Sequence, residues 1–121
     1  MPLDRTDGIL SLDSVRLDHI ADRFGTPTYV YSWNDIEDRY RDLEQALAET
    51  RHRICYSVKA NSNLSILHQL SKLGANFDVV SGGELERLMV VGIPLSLAIF
   101  SGVGKSVVEI DFALKAGIGC F

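Results

Sequence analysis

Apolar residues in the first part of the chain recur at helical spacing. They predict a helix over 14–24 that ends at Gly25, and a second helix that begins after Ser32, whose hydroxyl can cap it. Between these helices, the β-branched and aromatic run TYVY at 28–31 predicts a short strand. We therefore expect the chain to open with a helix, a strand and a helix.

From residue 53 onward, short apolar runs alternate with helical patterns. Strands are predicted at 54–58, 77–80 and 97–100, and helices at 64–73, 84–91 and 107–116. The strand runs are apolar without alternation, which is typical of a parallel sheet that is covered on both faces. Two Ser-x-x-Glu patterns, Ser81 with Glu84 and Ser106 with Glu109, predict capping boxes at the starts of the last two helices.

This regular alternation predicts an α/β fold. A strand–helix unit of this size, repeated eight times, makes a (β/α)8 barrel of about 200–250 residues. The chain holds about three such units, and an apolar run that resembles the start of a further strand begins at 118. We therefore predict a partial (β/α)8 TIM barrel after the helix–strand–helix segment, and we expect the chain to be part of a longer protein. A small open α/β sheet is the alternative at this length.

Composition and charge exclude several classes of protein. Hydrophobic residues make up 46% of the 121 residues and the formal net charge is −4, so neither disorder nor binding to nucleic acid or an anionic membrane is indicated. No apolar run approaches the roughly 20 residues that span a bilayer, and the acidic start of the chain does not resemble a secretory signal. The cytoplasm is therefore the expected location. The two cysteines form no CxxC pair and the three histidines lack metal-ligand spacing, so no metal site is predicted.

Lys59 is the first candidate for chemistry, since it follows an apolar strand in the octapeptide YSVKANSN at 56–63. A lysine at this place is usually a solvated side chain at the rim of a sheet. In barrels and doubly wound sheets, however, the carboxyl ends of the strands carry the site. A lysine held there among apolar neighbours is shifted towards the neutral amine, which can bond covalently to an aldehyde or ketone.

Asp78 is the candidate partner of Lys59, because it lies in the next predicted strand, within FDVVSGGE at 77–84. A carboxylate in a strand is unfavourable unless it meets a cation or hydrogen-bond donors. A water-exposed aspartate at the entry of the strand is the alternative, but the apolar residues on both sides argue against it. An amine and a carboxylate on neighbouring parallel strands suit a covalent amine catalyst.

Two glycine-containing loops allow a second interpretation. SGVGKS at 101–106 resembles a phosphate-binding loop, but Ile99 stands where that motif requires a glycine, so a turn followed by a helix cap is favoured. A non-catalytic phosphate-binding α/β module is kept as an alternative function. The Ser-Gly-Gly turn at 81–83 could bind an anion at a helix N-terminus, although a tight turn explains it equally well.

Five separated segments resemble one family, in the same order. They are FGTPTYVY at 24–31, YSVKANSN at 56–63, FDVVSGGELERL at 77–88, FSGVGKS at 100–106 and AGIGCF at 116–121. Through nearly its whole length the chain is similar to the N-terminal part of the diaminopimelate decarboxylases, pyridoxal-phosphate enzymes of the alanine-racemase-like barrel class. The implied reaction removes a carboxylate from the D-centre of meso-diaminopimelate and gives L-lysine and carbon dioxide. Decarboxylation of another basic amino acid (ornithine, arginine or carboxynorspermidine) is the alternative.

The resemblance also implies the roles of four residues. Lys59 matches the lysine that binds pyridoxal 5'-phosphate covalently, and it is the expected catalytic residue. Asp78 matches an aspartate near that lysine, and Glu84 matches an acid close to the same covalent link, although its capping role already explains it. Ser57 stands under the cofactor ring, where the family more often has alanine. These four residues are the expected cofactor-binding set.

The organisation of the family implies further expectations. Residues 1–31 would join a β-rich domain, and residues 32–121 would be the first part of the pyridoxal-phosphate barrel. The family's phosphate loop and substrate-binding residues come later in its chain, as does a cysteine that reaches across a homodimer interface. We therefore expect a homodimer for the full-length enzyme, with a small amino acid as substrate. These 121 residues by themselves are expected to be inactive or to bind the cofactor weakly.

Overall fold

The computed structural model describes residues 3–121. They form two compact units, one that runs up to Glu49 and one that begins at Thr50. No helix within the described residues is long and apolar enough to cross a membrane.

The first unit opens with an antiparallel sheet that the apolar pattern did not reveal. Its strands, in spatial order, are β1 (Leu3–Thr6), β2 (Ile9–Leu12) and β3 (Val15–Arg16). Asp7 and Gly8 form the turn between β1 and β2, with positive φ angles of 51° and 80°. Such a turn gives a weak sequence signal when a residue other than glycine takes one of its left-handed positions.

Two helices complete the first unit, α1 (Leu17–Phe24) and α2 (Trp33–Ala46). The predicted start of the first helix at residue 14 is wrong, because Val15 and Arg16 pair with β2. Its predicted end is confirmed: Gly25 has a φ of 80° and its N–H donates to the carbonyl of Ala21. The cap of α2 is also confirmed, since the Ser32 Oγ accepts the N–H of Asp35 at 3.0 Å.

The strand predicted at 28–31 is wrong. These residues have no regular secondary structure, and the side chain of Tyr29 is 89% exposed. A β-branched and aromatic run forms a strand only where a neighbouring strand pairs with its backbone. None within residues 3–121 does so here.

The second unit has the predicted alternation of strands and helices. The elements are β4 (Cys55–Ser57), α3 (Leu64–Lys72), β5 (Asn76–Val79), α4 (Gly82–Val90), β6 (Ala98–Phe100) and α5 (Val107–Lys115). The strands are parallel and adjacent in chain order, β4-β5-β6. Short 3-10 turns follow β4 at Val58–Ala60 and precede β6 at Leu95–Leu97.

The core of this unit lies on one face of the sheet. Right-handed crossovers between sequential parallel strands bring all the connecting helices to the same side. The residues buried there share a position on that face or on the helix surfaces that meet it: Phe77, Val79, Ala98, Phe100, Leu67, Leu70, Leu85, Leu88 and Ala113. The opposite face, with Ser57, Asp78 and Ile99, is only half-buried. The expectation of a sheet covered on both faces is therefore wrong for this chain.

The apolar run that begins at 118 pairs with β6 through one bridge and does not form a full fourth strand. Cys120 forms a single parallel bridge with Ile99, and its carbonyl accepts the N–H of Phe100 at 2.9 Å. The Phe121 ring stacks on Phe100, with a distance of 5.9 Å between the ring centroids. The outer edge of β6 is thus paired with the following segment at one residue, Cys120.

Candidate functional site

The carboxyl ends of β4 and β5 bring three of the predicted site residues to one rim of the sheet. Ser57 and Asp78 occupy the same register position on adjacent parallel strands, and the Ser57 Oγ donates to the Asp78 Oδ2 at 3.3 Å. Lys59 follows two residues after Ser57, in the 3-10 turn that ends the strand. The sequence-based placement of the amine and the carboxylate on neighbouring parallel strands is therefore confirmed.

Lys59 itself is exposed, whereas Val58 beside it has no accessible surface. The expected enclosure among apolar neighbours is not found. The side chain of Val58 lies in the covered core. Lys59, the next residue, lies outside that core at the carboxyl end of β4. The amine is therefore accessible to a ligand that approaches the rim from solution.

Asp78 is half-buried on the open face of the sheet. Its apolar neighbours Phe77 and Val79 point to the opposite face, because side chains alternate along a strand. The flanking apolar residues therefore do not surround the carboxylate, but Asp78 is not fully exposed to water either, and it has a hydrogen-bond donor in Ser57. That donor holds the carboxylate in place across the two strands.

Glu84 lies in the first turn of α4 and is half-buried. Its Oε2 accepts the N–H of Val80 at 2.8 Å, and its own N–H donates to the Ser81 Oγ. The predicted capping box is thus half formed: the serine caps the helix, but the glutamate reaches one residue further back than the box requires. This bond ties the first turn of α4 to the end of β5.

Glu109 has a role that the sequence did not reveal. As predicted, it forms a full capping box with Ser106 at the start of α5. In addition, its Oε1 accepts the N–H of Gly82 at the start of α4, at 2.8 Å. The backbone N–H groups of Ser106 and Gly82 lower the pKa of this carboxyl from 4.5 to about 2. No local spacing signals the second contact, because 27 residues separate the partners.

The SGVGKS loop takes the favoured interpretation of a turn and a helix cap. Gly102 has a φ of 92°, and Ser106 caps α5. The Lys105 Nζ donates to the carbonyl of Gly102 and lies 5.2 Å from the centroid of the Phe100 ring. The amine that a phosphate-binding module would use is thus engaged within its own loop.

Cys55 lies on the same open face, at the other end of β4 from Lys59. Burial raises the pKa of its thiol, and the negative charge of Asp78 raises it further, against a smaller opposing effect of Arg53. The thiol therefore remains protonated and a poor nucleophile near neutral pH.

Comparisons with known proteins indicate a family. A sequence profile of the pyridoxal-dependent decarboxylases, for their pyridoxal binding domain, matches residues 33–121. The chain is 51% identical over 114 residues to a diaminopimelate decarboxylase of Pseudomonas fluorescens. The matched region covers 94% of this chain and 27% of that protein. It thus spans little more than a quarter of the length of this relative.

Solved structures give the same result. The chain is similar to the diaminopimelate decarboxylase of M. jannaschii in complex with L-lysine, with a TM-score of 0.89 and 33% identity over 97% of this chain and 28% of that one. It is also similar to a lysine/ornithine decarboxylase of Vibrio vulnificus in complex with putrescine, with a TM-score of 0.78 and 27% identity over 84% of this chain and 28% of that one. The predicted partial barrel is confirmed: the elements match the N-terminal region of TIM-barrel decarboxylases, and β4–β6 form an open sheet.

Proposed function

The chain belongs to the pyridoxal-dependent decarboxylases, and from that premise we propose that it is the part of a diaminopimelate decarboxylase that supplies the cofactor-binding lysine. The reaction removes the carboxylate at the D-centre of meso-diaminopimelate and gives L-lysine and carbon dioxide. The identity of 51% to the Pseudomonas fluorescens enzyme supports this substrate. The observation that carries the proposal is the place of Lys59, directly after β4 at the carboxyl end of a parallel sheet, one strand away from Asp78.

The residues at this rim fit pyridoxal 5'-phosphate. A covalent aldehyde cofactor requires an accessible primary amine on a defined backbone, and Lys59 is exposed within an ordered 3-10 turn. When bound, pyridoxal phosphate supplies the electron sink that the loss of a carboxylate from an amino acid requires. Lys59 would hold it through Nζ and would be the amine that the substrate's own amino group replaces.

The other three residues act around that amine. Asp78 presents a carboxylate at the same rim, and the Ser57 hydroxyl keeps it oriented through their 3.3 Å hydrogen bond. Asp78 thus supplies an acceptor for hydrogen bonds at the rim that carries Lys59. Glu84 presents a second carboxylate from the start of α4. The backbone N–H of Val80 donates to its Oε2 and so holds this side chain in place.

Reductive trapping tests the cofactor assignment. The chain is incubated with excess pyridoxal 5'-phosphate, reduced with borohydride, digested and analysed by mass spectrometry. We expect the adduct at Lys59 to exceed that at Lys72 and Lys115, which are exposed on helices and serve as internal references. Lys59→Arg should abolish the selective adduct while it preserves the charge. Equal labelling of all lysines would overturn the assignment.

The catalytic role of Lys59 is tested in a chimera. The chain covers 27% of the Pseudomonas fluorescens enzyme, so it can replace the corresponding segment there. We expect the chimera to release carbon dioxide from meso-diaminopimelate and Lys59→Ala to abolish that release. The isolated 121 residues should be inactive, and measured decarboxylation by them would contradict this proposal. Decarboxylation of ornithine is the second candidate, which the Vibrio vulnificus likeness supports, and faster turnover of ornithine than of meso-diaminopimelate by the full-length enzyme would favour it.

The remaining proposals concern organisation. Residues 1–31 join a β-rich domain and residues 32–121 begin the barrel, a division that the family match from residue 33 supports. The full-length enzyme acts as a homodimer in the cytoplasm, on a small amino acid and without nucleic acid. Sedimentation of the full-length enzyme as a monomer under assay conditions would contradict the dimer.

A further inference from the structure

The loop that follows Lys59 is held from two sides. The Tyr56 hydroxyl donates to the carbonyl of Asn61 at 3.0 Å, and the Arg87 Nη1 donates to the carbonyl of Ser62 at 3.1 Å. The two acceptors are consecutive backbone carbonyls, two and three residues after Lys59. Because both bonds end on the backbone, they fix the path of the chain rather than the rotamer of a side chain.

Both donors stand on rigid elements. Tyr56 is the central residue of β4, where it pairs in register with the buried Phe77. Arg87 lies on α4 between Leu85 and Leu88, which have no accessible surface. The start of that helix is in turn tied to the end of β5. The backbone that carries each donor is therefore fixed by the packing of the core.

We propose that Tyr56 and Arg87 are positioning residues that clamp this loop and thereby fix the backbone position from which the Lys59 side chain reaches the rim. The inference rests on the proposed role of Lys59. Without the two anchors, the loop would be held mainly by its local turn bonds, from the Asn63 N–H to the Asn61 side chain and from the Ser65 N–H to the Asn63 side chain. A reacting group that samples fewer positions reacts more often in the productive one.

A solvated arginine with no structural role is the usual interpretation of an exposed Arg87. Two features argue against it here. Its guanidinium crosses to a loop 25 residues away in the sequence, and a second, independent donor binds the adjacent carbonyl of the same loop. Convergence of two donors from different elements on neighbouring acceptors is what a clamp requires.

Hydrogen exchange tests the clamp without any cofactor. The amides of Asn63 and Ser65 report the order of the loop through their turn bonds. Loss of one net hydrogen bond should accelerate their exchange about two- to tenfold in Arg87→Ala and in Tyr56→Phe. Glu86→Ala, an exposed neighbour on the same helix, is the matched control and should leave the exchange unchanged.

Labelling selectivity tests positioning as distinct from mere structural support. The ratio of Lys59 adduct to Lys72 adduct, after pyridoxal 5'-phosphate and borohydride, should fall about two- to tenfold in both variants. Arg87→Lys keeps one charged donor and should restore part of the ratio. The absolute labelling of Lys72 and Lys115 should not change in any variant.

Each outcome has one meaning. Faster loop exchange with an unchanged Lys59 ratio overturns the positioning role, as does the absence of both effects. If exchange is faster in the variants but the unchanged protein labels Lys59 no more than Lys72, the clamp is supported. The proposed cofactor-binding role of Lys59 is then the part that is contradicted. If Arg87→Ala fails to fold, Tyr56→Phe decides, since it removes only a hydroxyl and keeps the ring.

Discussion

The carboxylate of Glu109 accepts the backbone N–H of Gly82 at 2.8 Å, so one side chain of α5 binds the first residue of α4. Its second oxygen accepts the N–H and the hydroxyl of Ser106 at the start of its own helix. A single carboxylate thus satisfies free N–H groups at two helix N-termini, where the helix dipoles also favour a negative charge. This contact determines how the turn after β5 is held.

Acid should weaken the fold through Glu109. The pKa of this carboxyl is lowered to about 2 in the folded chain from an ordinary value of 4.5. A carboxyl with a lowered folded pKa stabilises the fold fully above its unfolded pKa and loses that contribution as the pH falls towards the folded pKa. We expect Glu109→Gln to lower the melting temperature at pH 7, and the difference from the unchanged protein to shrink between about pH 4.5 and pH 2.

Glu86→Gln is the matched control for this pH series, because it removes an exposed carboxylate from the same pair of helices. Its melting temperature should follow that of the unchanged protein throughout. A difference for Glu109→Gln that stayed constant from pH 7 to pH 2 would show that the carboxylate charge contributes nothing.

The two glycines at the start of α4 should respond differently to alanine. A Cβ at Gly83 meets no atom within 4 Å, so Gly83→Ala should stabilise the chain by about 0.5–1 kcal/mol through the lower entropy of its unfolded state. A Cβ at Gly82 would lie 3.2 Å from the Glu109 Cγ. That side chain must shift and weaken its bond to the Gly82 N–H. In urea titrations Gly82→Ala should therefore be the less stable of the two, and equal midpoints would contradict the contact.

Gly119 should tolerate no side chain. A Cβ there would lie 2.3 Å from the carbonyl oxygen of Ser96 and 2.9 Å from its carbonyl carbon. Since these are backbone atoms of the segment that leads into β6, relief requires the chain to move, and we expect Gly119→Ala to cost about 1–3 kcal/mol. Gly104→Ala, where a Cβ meets nothing within 4 Å, should change the unfolding free energy by less than about 0.5 kcal/mol.

The thiol of Cys55 should report the charge of Asp78. Burial and that carboxylate raise its pKa, so alkylation by iodoacetamide at pH 8 should be slow. Asp78→Asn removes one of the two causes and should shift the pH–rate profile of Cys55 to lower pH. The exposed Cys120 provides a rate reference in the same sample. An unchanged profile in Asp78→Asn would show that the carboxylate does not act on the thiol.

The second unit was predictable because its signals are local. Apolar runs of strand length and caps such as Ser106 specify its elements one by one, and the right-handed crossover then specifies their order. The first unit was predicted less well. The run at 28–31 has strand composition but no pairing partner within the described residues, and the sheet of β1 to β3 depends on turns with positive φ at Asp7 and Asp13.

Within the candidate site, position was predictable but environment was not. The strand pattern placed Lys59 and Asp78 at one rim. It could not show that the face bearing Asp78 lies open, because burial depends on what packs against the sheet. Contacts such as Arg87 with Ser62, or Glu109 with Gly82, join residues 25 and 27 positions apart. Only the folded chain brings these pairs together.

Because side chains alternate between the two faces of β5, the site depends on which face each residue of this strand occupies. Phe77 and Val79 fill the core from one side of this strand, and Asp78 stands on the other. Inserting a single residue ahead of Phe77 would reverse the facing of these side chains. The Asp78 carboxylate would then enter the apolar core, and the phenyl ring of Phe77 would lie on the open face in its place. A two-residue insertion would restore the facing. Insertion or deletion of one residue in this strand should therefore be harmful whichever residue is added or lost, which is a constraint on length rather than on residue type.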